Sequence, residues 1–284
     1  MTEKNVRFLK ENFIAYRPIS GGMSPDEKYY AHGRDCRPVF IRFANACRAN
    51  RLTKEFEMLK QLQGNSIPTP CPVALGSLNG GKYMITQWIN GDVFSEVLPR
   101  LDAMAQYTLG HVAGEMLQNI HAMPVNGSIN EWKQCPYEKM KASIKAYPQY
   151  VARFTNAEKK LVDYIESNKH WLQSTPIAFL HGDYTPRNMM LAGEALLVVD
   201  FNSFLFSVTW ADIGKVVSKA KGEYPFYKGL LNRYFDGEPA KDAVQRIIFY
   251  AALHRIDHFF NNILFNRVML SNDDFFDNIA KMIK

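Results

Sequence analysis

The stretch AFLHGDYTPRNMMLAGEALLVVDF, residues 178–201, sets His181, Asp183, Asn188 and Asp200 in and just after two apolar runs. Two carboxylates and a carboxamide on rigid strands suit a reaction in which one oxygen takes a proton and the others meet a hard cation. The carboxylate of Asp183 is suited to accept the proton of a hydroxyl once bond formation is advanced. The amide oxygen of Asn188 and the carboxylate of Asp200 are donors of the type that Mg²⁺ prefers. Phosphoryl transfer asks for this division of labour, an aimed hydroxyl and neutralised triphosphate oxygens, with little covalent help from protein. The expectation is therefore Asp183 as base and Asn188 and Asp200 as metal ligands. His181, which opens the loop, is read as a brace for the backbone.

Rigid elements must hold these groups. Residues 178–180 and 196–199 read as short buried strands about a polar turn. Upstream, Phe13–Ile19, Lys28–Ala31 and Val39–Phe43 are strand-like, and Asn50–Leu62 carries Leu52, Phe56, Leu59 and Leu62 at helical period. Val73–Leu78 and Lys82–Trp88 flank Asn79-Gly80-Gly81, a hairpin signal. After Gly91 the pattern turns mainly helical, through Leu101–Ala122, Glu158–Leu172, Ala243–Val268 and Asp273–Ile283. The fold class expected is α+β. Residues 1–90 form a small β-rich nucleotide-binding lobe with one helix and a linker near 86–91. Residues 91–284 form a larger, mainly helical lobe with the catalytic loop and the acceptor site.

Composition narrows the classes. Hydrophobic residues at 47% and charged residues at 22% are ordinary for a soluble globular chain. No stretch approaches a membrane span, so no membrane partner is expected. The amino end lacks the apolar core of a signal peptide, and the cysteines, Cys36, Cys47, Cys71 and Cys135, form no CxxC pair; both point to the cytoplasm. The net charge of +6 raises the possibility of a nucleic-acid binder. The basic residues form no block, and Arg48 to Lys60 alternates with acids as a solvated helix face does, so nucleic acid is not expected. Neither an internal repeat nor a Walker A sequence is present.

His181-Gly182-Asp183 with Asn188 five residues on, then a strand ending in Asp200, resembles the aminoglycoside phosphotransferase family, itself similar to choline kinase and other small-molecule kinases of the protein-kinase-like fold. The resemblance extends over most of the chain. It implies that Ser20, Gly21 and Gly22 begin the nucleotide loop. Arg42, on Val39–Phe43, stands where the family usually carries its phosphate-binding Lys, and Glu55 is its helical partner. Backbone groups near Gln87 and Ile89 would meet the adenine. Leu117-Gln118-Asn119-Ile120-His121 and Trp210-Ala211-Asp212-Ile213-Gly214 resemble two structural segments, in which His121 and Asp212 are internal anchors. The implied cofactors are Mg²⁺ and ATP or GTP as donor.

Arg for Lys keeps the charge but presents a planar fork. Only eleven residues separate Asp200 from Asp212, little room for a peptide-docking segment, so the acceptor expected is a small-molecule hydroxyl, aminoglycoside-like or another amino alcohol or sugar. Asp257, Asp273, Asp274 and Asp277 with Phe259, Phe260, Phe275 and Phe276 would suit a cationic amine. Against that stand the basic overall charge and a plain reading of the cluster as an amphipathic helix. Arg187 faces phosphate or solvent. The alternative function is a catalytically silent nucleotide-binding protein of the same fold.

Overall fold

The computed structural model describes residues 3–20, 24–34, 37–124, 145, 155–172, 177–264 and 274–283. The chain divides into two compact units, Met1–Val93 with Met189–Asn202, and Phe94–Asn188 with Ser203–Lys284. One boundary between the units falls after Val93. Residues 189–202 return to the first unit for a reason given by their pairing, below.

In the first unit β1 (Ala15–Pro18), β2 (Glu27–His32), β3 (Pro38–Ala44), β4 (Pro72–Leu78) and β5 (Gly81–Gln87) form an antiparallel sheet in the order β1-β2-β3-β5-β4. Leu78 pairs with Gly81 across Asn79 and Gly80, both left-handed at φ 55° and 76°, as a two-residue hairpin turn requires. Ile41 to Ala44 are all buried, so β3 is covered on both faces. Ile41 and Phe43 join Leu9, Tyr29, Ala31 and Ile85 in one apolar cluster. Leu9 comes from α1 (Glu3–Asn12), a second helix in this unit beside the one expected. Its ten residues bury only Leu9, too little for a helical period to stand out; the apolar sheet face is what holds so short a helix.

Helix α2 (Ala46–Gly64) begins at Asn45, whose side chain accepts from Arg48 N, and buries Leu52, Phe56, Leu59 and Leu62. The hairpin of β8 (Met189–Ala192) and β9 (Ala195–Val198) joins this unit through β6 (Asp92–Val93), with Asp92 opposite Leu191 and Val93 opposite Met190. Val198 N also donates to Pro68 O at 2.9 Å.

The second unit sets helices around one antiparallel pair, β7 (Ile177–Leu180) with β10 (Leu205–Val208). Its described α-helices are α3 (Phe94–Val97), α4 (Ala103–His121), α5 (Asn156–Ser167), α6 (Trp210–Ser218), α7 (Tyr224–Tyr234), α8 (Lys241–Leu264) and α9 (Phe275–Ile283). Where α4 crosses α7, a Cβ on Gly110 would lie 2.0 Å from Phe226 O and one on Gly229 2.2 Å from Tyr107 O. Glycine lets the two backbones touch. Among the described residues, no helix is long and apolar enough to cross a membrane.

Candidate active site

The loop that carries Asp183 leaves β7 at Leu180 and turns through Gly182, at φ +79°. A Cβ there would meet Ser203 O at 2.1 Å, so glycine is required both by conformation and by space. Asp212, in the first turn of α6 and 1% exposed, accepts from the main-chain N–H of His181 at 2.9 Å and of Gly182 at 3.0 Å. Its Oδ2 lies 3.4 Å from His121 Nε2, and His121 Nδ1 lies 2.8 Å from the Tyr234 hydroxyl. Tyr184 donates its hydroxyl to Ala113 O at 2.6 Å, tying the loop to α4. Asp212 and His121 are thus internal anchors. An Asp212→Asn protein keeps one acceptor but turns an NH₂ toward a second donor. We expect it to lose about 2 kcal/mol in urea unfolding, because one buried donor is left without an acceptor.

His181 is fully buried, and its Nδ1 accepts from Asp183 N at 3.1 Å. It braces the loop. Asp183 is half-buried; its Oδ2 accepts from Asn188 Nδ2 at 2.8 Å and its Oδ1 meets Lys215 Nζ at 2.9 Å. Each donor has a second, main-chain partner: Asn188 Nδ2 reaches Asp183 O at 2.9 Å, and Lys215 Nζ reaches Gly182 O at 2.6 Å. Burial presses the Asp183 carboxyl upward and is the largest single influence. The charge and hydrogen bond of Lys215, then the bond from Asn188, outweigh it together and hold the carboxyl below the ordinary range. Asp183 is therefore an ionised acceptor at neutral pH. Lys215 escaped the reading of the sequence, although it lies three residues after Asp212 on α6, and so on the same helical face.

A second set of charges gathers in the first unit. Arg42, 5% exposed on β3, donates from Nη1 to Glu55 Oε1 at 2.7 Å. The expected pairing is present, with a partner that was not expected: Arg42 Nη2 donates to Asp26 Oδ2 at 2.9 Å. Asp26 also takes Arg48 Nε on Oδ1 at 2.7 Å. Arg48 Nη2 and Asp26 N both reach Ser24 Oγ, at 3.3 Å each, which ties the residues before β2 to α2. Arg51 Nε donates to Asn202 O at 2.7 Å, and Asn202 Nδ2 donates to Asp200 Oδ1. Asp200 is close enough for its charge to act on both Arg42 and Glu55. The stretch from Arg48 to Lys60 is thus not uniformly solvated. Lys54, Glu57 and Lys60 face water, while Arg48, Arg51 and Glu55, at i, i+3 and i+7, turn inward.

Of the other expected contacts, Ser20 is exposed, and Gly21 and Gly22 lie outside the described residues. Gln87 ends β5 with its N–H already donated to Cys71 O at 2.8 Å, and Ile89 is half-buried on the linker.

Burial alone would raise the Asp26 carboxyl, but hydrogen bonds and charge from Arg48 and Arg42 hold it below its ordinary value. A carboxyl depressed on folding contributes stability that is present above its unfolded value and lost as pH falls through its folded one. Removing Arg48 takes away the strongest of those lowering contacts. In acid titrations followed by circular dichroism, Arg48→Met is expected to unfold at a higher pH than the parent. Coincident acid limbs would count against this.

Residues 15–245 match the phosphotransferase enzyme family APH. The chain belongs to that family. Its fold is also that of solved aminoglycoside phosphotransferases. The GDP complex of aminoglycoside 2'-phosphotransferase-IIIa superposes with a TM-score of 0.73 at 13% identity, over 98% of this chain and 94% of that one. The gentamicin–APH(2")-IIa complex gives 0.68 at 14%, over 100% and 96%. The streptomycin–ATP–APH(2")-IIa ternary complex gives 0.66 at 14%, over 99% and 96%. No curated protein sequence matches the chain.

For this phosphotransferase the donor chemistry suits Mg²⁺. The amide nitrogen of Asn188 is engaged by Asp183, which leaves its carbonyl oxygen on offer. Asp200 is exposed, in the left-handed region at φ 64°, with Oδ1 bonded to Asn202 and Oδ2 on offer. Asp tolerates that conformation better than most residues, and such backbone outliers concentrate at functional positions. Among the described residues, no group of three His, Cys, Asp or Glu side chains is arranged to hold a metal. Mg²⁺ does not need one, since it keeps waters and takes phosphate oxygens beside one or two protein oxygens.

Proposed function

We propose that this family member moves the γ-phosphate of ATP or GTP to a hydroxyl of a small molecule, on a sugar or amino-alcohol scaffold. The observation that carries this is Asp183, an ionised and partly accessible carboxylate held on one oxygen by Lys215 and on the other by Asn188. Asp183 orients the acceptor hydroxyl by accepting its hydrogen bond. As the hydroxyl oxygen bonds to the γ-phosphorus and the bond to the β,γ-bridging oxygen breaks, the hydroxyl proton passes to the Asp183 carboxylate and the nucleoside diphosphate leaves. Lys215 keeps Asp183 ionised until that moment. Asn188 fixes its rotamer; Asn188 and Asp200 would supply oxygens to Mg²⁺, which would neutralise phosphate charge. Arg42, held by Glu55, steadies the α- and β-phosphates, and Ser20, Gly21, Gly22, Gln87 and Ile89 contribute to the nucleotide's surroundings.

A second reading, a silent nucleotide-binding protein, draws on one observation. Both terminal nitrogens of Arg42 already meet buried carboxylates. Calorimetric titration with Mg·ATP and Mg·GTP, paired with γ-phosphate consumption against sugars, amino alcohols, hydroxy acids and aminoglycosides, separates the two. Consumption that depends on an acceptor supports transfer. Tight binding with no acceptor-dependent consumption in any class supports the silent protein.

A further inference from the structure

The charge around Asp183 bears on what the acceptor must look like. Lys215 is in contact with the carboxylate at 2.9 Å. One helical turn on, at the end of α6, stands the half-buried Lys219. Arg187 lies in the loop itself, between Asp183 and Asn188, and is exposed. Among the described residues, neither Lys219 nor Arg187 forms an ion pair at contact distance. After burial, the charges of Arg187, Lys215 and Arg255 all press the Lys219 ammonium below its ordinary pKa, and only Asp183 opposes them. His254, with Nδ1 2.7 Å from Ser218 Oγ, is held neutral by burial and then by Lys215 and Lys219. Lys215 and Arg187 thus share the neighbourhood of Lys219, and the half-buried carboxylate that faces them, Asp183, is already neutralised by Lys215. Asp212 does not redress the balance, because it is buried and occupied by the loop amides.

Of the carboxy-terminal features that would suit a cation, the described rings pack on one another. The ring of Phe275 is buried beside Phe276 at 5.2 Å, and the half-buried Phe276 meets Tyr164 edge-on at 5.3 Å. Asp274 and Asp277 are exposed to water, and Asp273 and the side chains of Phe259 and Phe260 lie outside the described residues.

We propose that the acceptor hydroxyl belongs to a small molecule bearing an anionic group, a carboxylate or a phosphate, which Lys219 and Arg187 receive while Asp183 takes the hydroxyl. Resting on Asp183 as the base, this assignment makes polycationic aminoglycosides the wrong class, because their ammonium groups would meet the like charges of Lys219 and Arg187. An anion relieves the crowding instead.

The test fills the nucleotide site of the full chain with a non-hydrolysable Mg·ATP analogue, so that the γ-phosphate position is taken. D-gluconate, glucose 6-phosphate, glucose and kanamycin are then titrated by calorimetry. At least one anionic probe is expected to bind more tightly than glucose, with kanamycin weakest; the gluconate and phosphate arms decide which anion is preferred. Lys219→Glu and, independently, Arg187→Glu should weaken the anionic probe by about tenfold or more while the analogue binds within about twofold of the parent. Kanamycin binding as tightly as the anions, no binding by either anion, or indifference of anion binding to both variants overturns the proposal and leaves phosphoryl transfer standing. Failure of the analogue to bind removes the phosphotransfer reading, and this one with it.

Discussion

An Asp183→Ala protein is expected to bind Mg·ATP as the parent does and to lose transfer by about 10²–10⁴-fold, the range a positioned general base supplies. The fold should survive the change. Lys215 keeps Gly182 O at 2.6 Å and Asn188 keeps the main-chain oxygen of residue 183 at 2.9 Å, so both donors retain a partner when the carboxylate goes. The anchors beneath, from Asp212 to the His181 and Gly182 amides, do not involve the side chain removed. Single-turnover measurement of γ-phosphate consumption, with calorimetry for the nucleotide, reads the two effects apart. Transfer within tenfold of the parent would sink the assignment of Asp183 as base. Loss of nucleotide binding together with transfer would point to collapse of the loop, and thermal unfolding of the same sample would reveal it.

Arg42→Ala is expected to act on stability instead. The side chains of Asp26 and Glu55 are 2% and 3% exposed, and each loses a contact to the same guanidinium. Asp26 retains Arg48 at 2.7 Å; Glu55, already pushed up by burial, keeps the charge of Arg51 nearby but loses its 2.7 Å hydrogen bond from Arg42. Breaking a buried ion pair by deleting one partner costs about 3–5 kcal/mol, because a charge is left in a medium that solvates it poorly. Urea unfolding of the two proteins measures it, and a loss below about 1 kcal/mol would mean that water reaches the carboxylates after all. Arg42→Lys separates charge from shape. A single ammonium has to serve two carboxylates that the forked guanidinium meets with separate nitrogens, so a smaller but definite loss is expected. The network is not free of cost as it stands, since Arg42 Nε and Glu55 Oε2 are buried without hydrogen-bond partners. That leaves the Arg–Glu pair as a device for fixing α2 against β3 more than as a source of net stability.

Much of this was legible in the sequence wherever the signal is local. Helical period marked α2 and α4, and Asn79-Gly80 marked the hairpin, because turn geometry and burial of one face act over a few residues. Helix α1 was not legible: ten residues with one fully buried side chain have no pattern of their own, and the sheet face that recruits them is assembled from strands up to some seventy residues downstream. The pairing of Arg42 with Glu55 could be expected from a family likeness but not from spacing. Asp26 and Arg48 could not be expected at all, since their meeting depends on the register of β2 and β3 and on where α2 starts.

The sequence by itself determined the chemistry on offer. Asp183 and Asn188 stand five residues apart on one turn, so their hydrogen bond follows from local backbone geometry, and Gly182 permits the left-handed step that aims them. Tertiary structure alone decided the electrostatics. Lys215 reaches Asp183 from thirty-two residues away because β10 pairs with β7 and delivers the first turns of α6 beneath the loop. Residues 189–202, Asp200 among them, belong to the amino-terminal unit because β8 finds its partner in β6. Spacing along a chain reports which groups are present and which close neighbours can touch. The sign and strength of the field at a carboxylate depend on distances through space, and those exist only once the strands have paired.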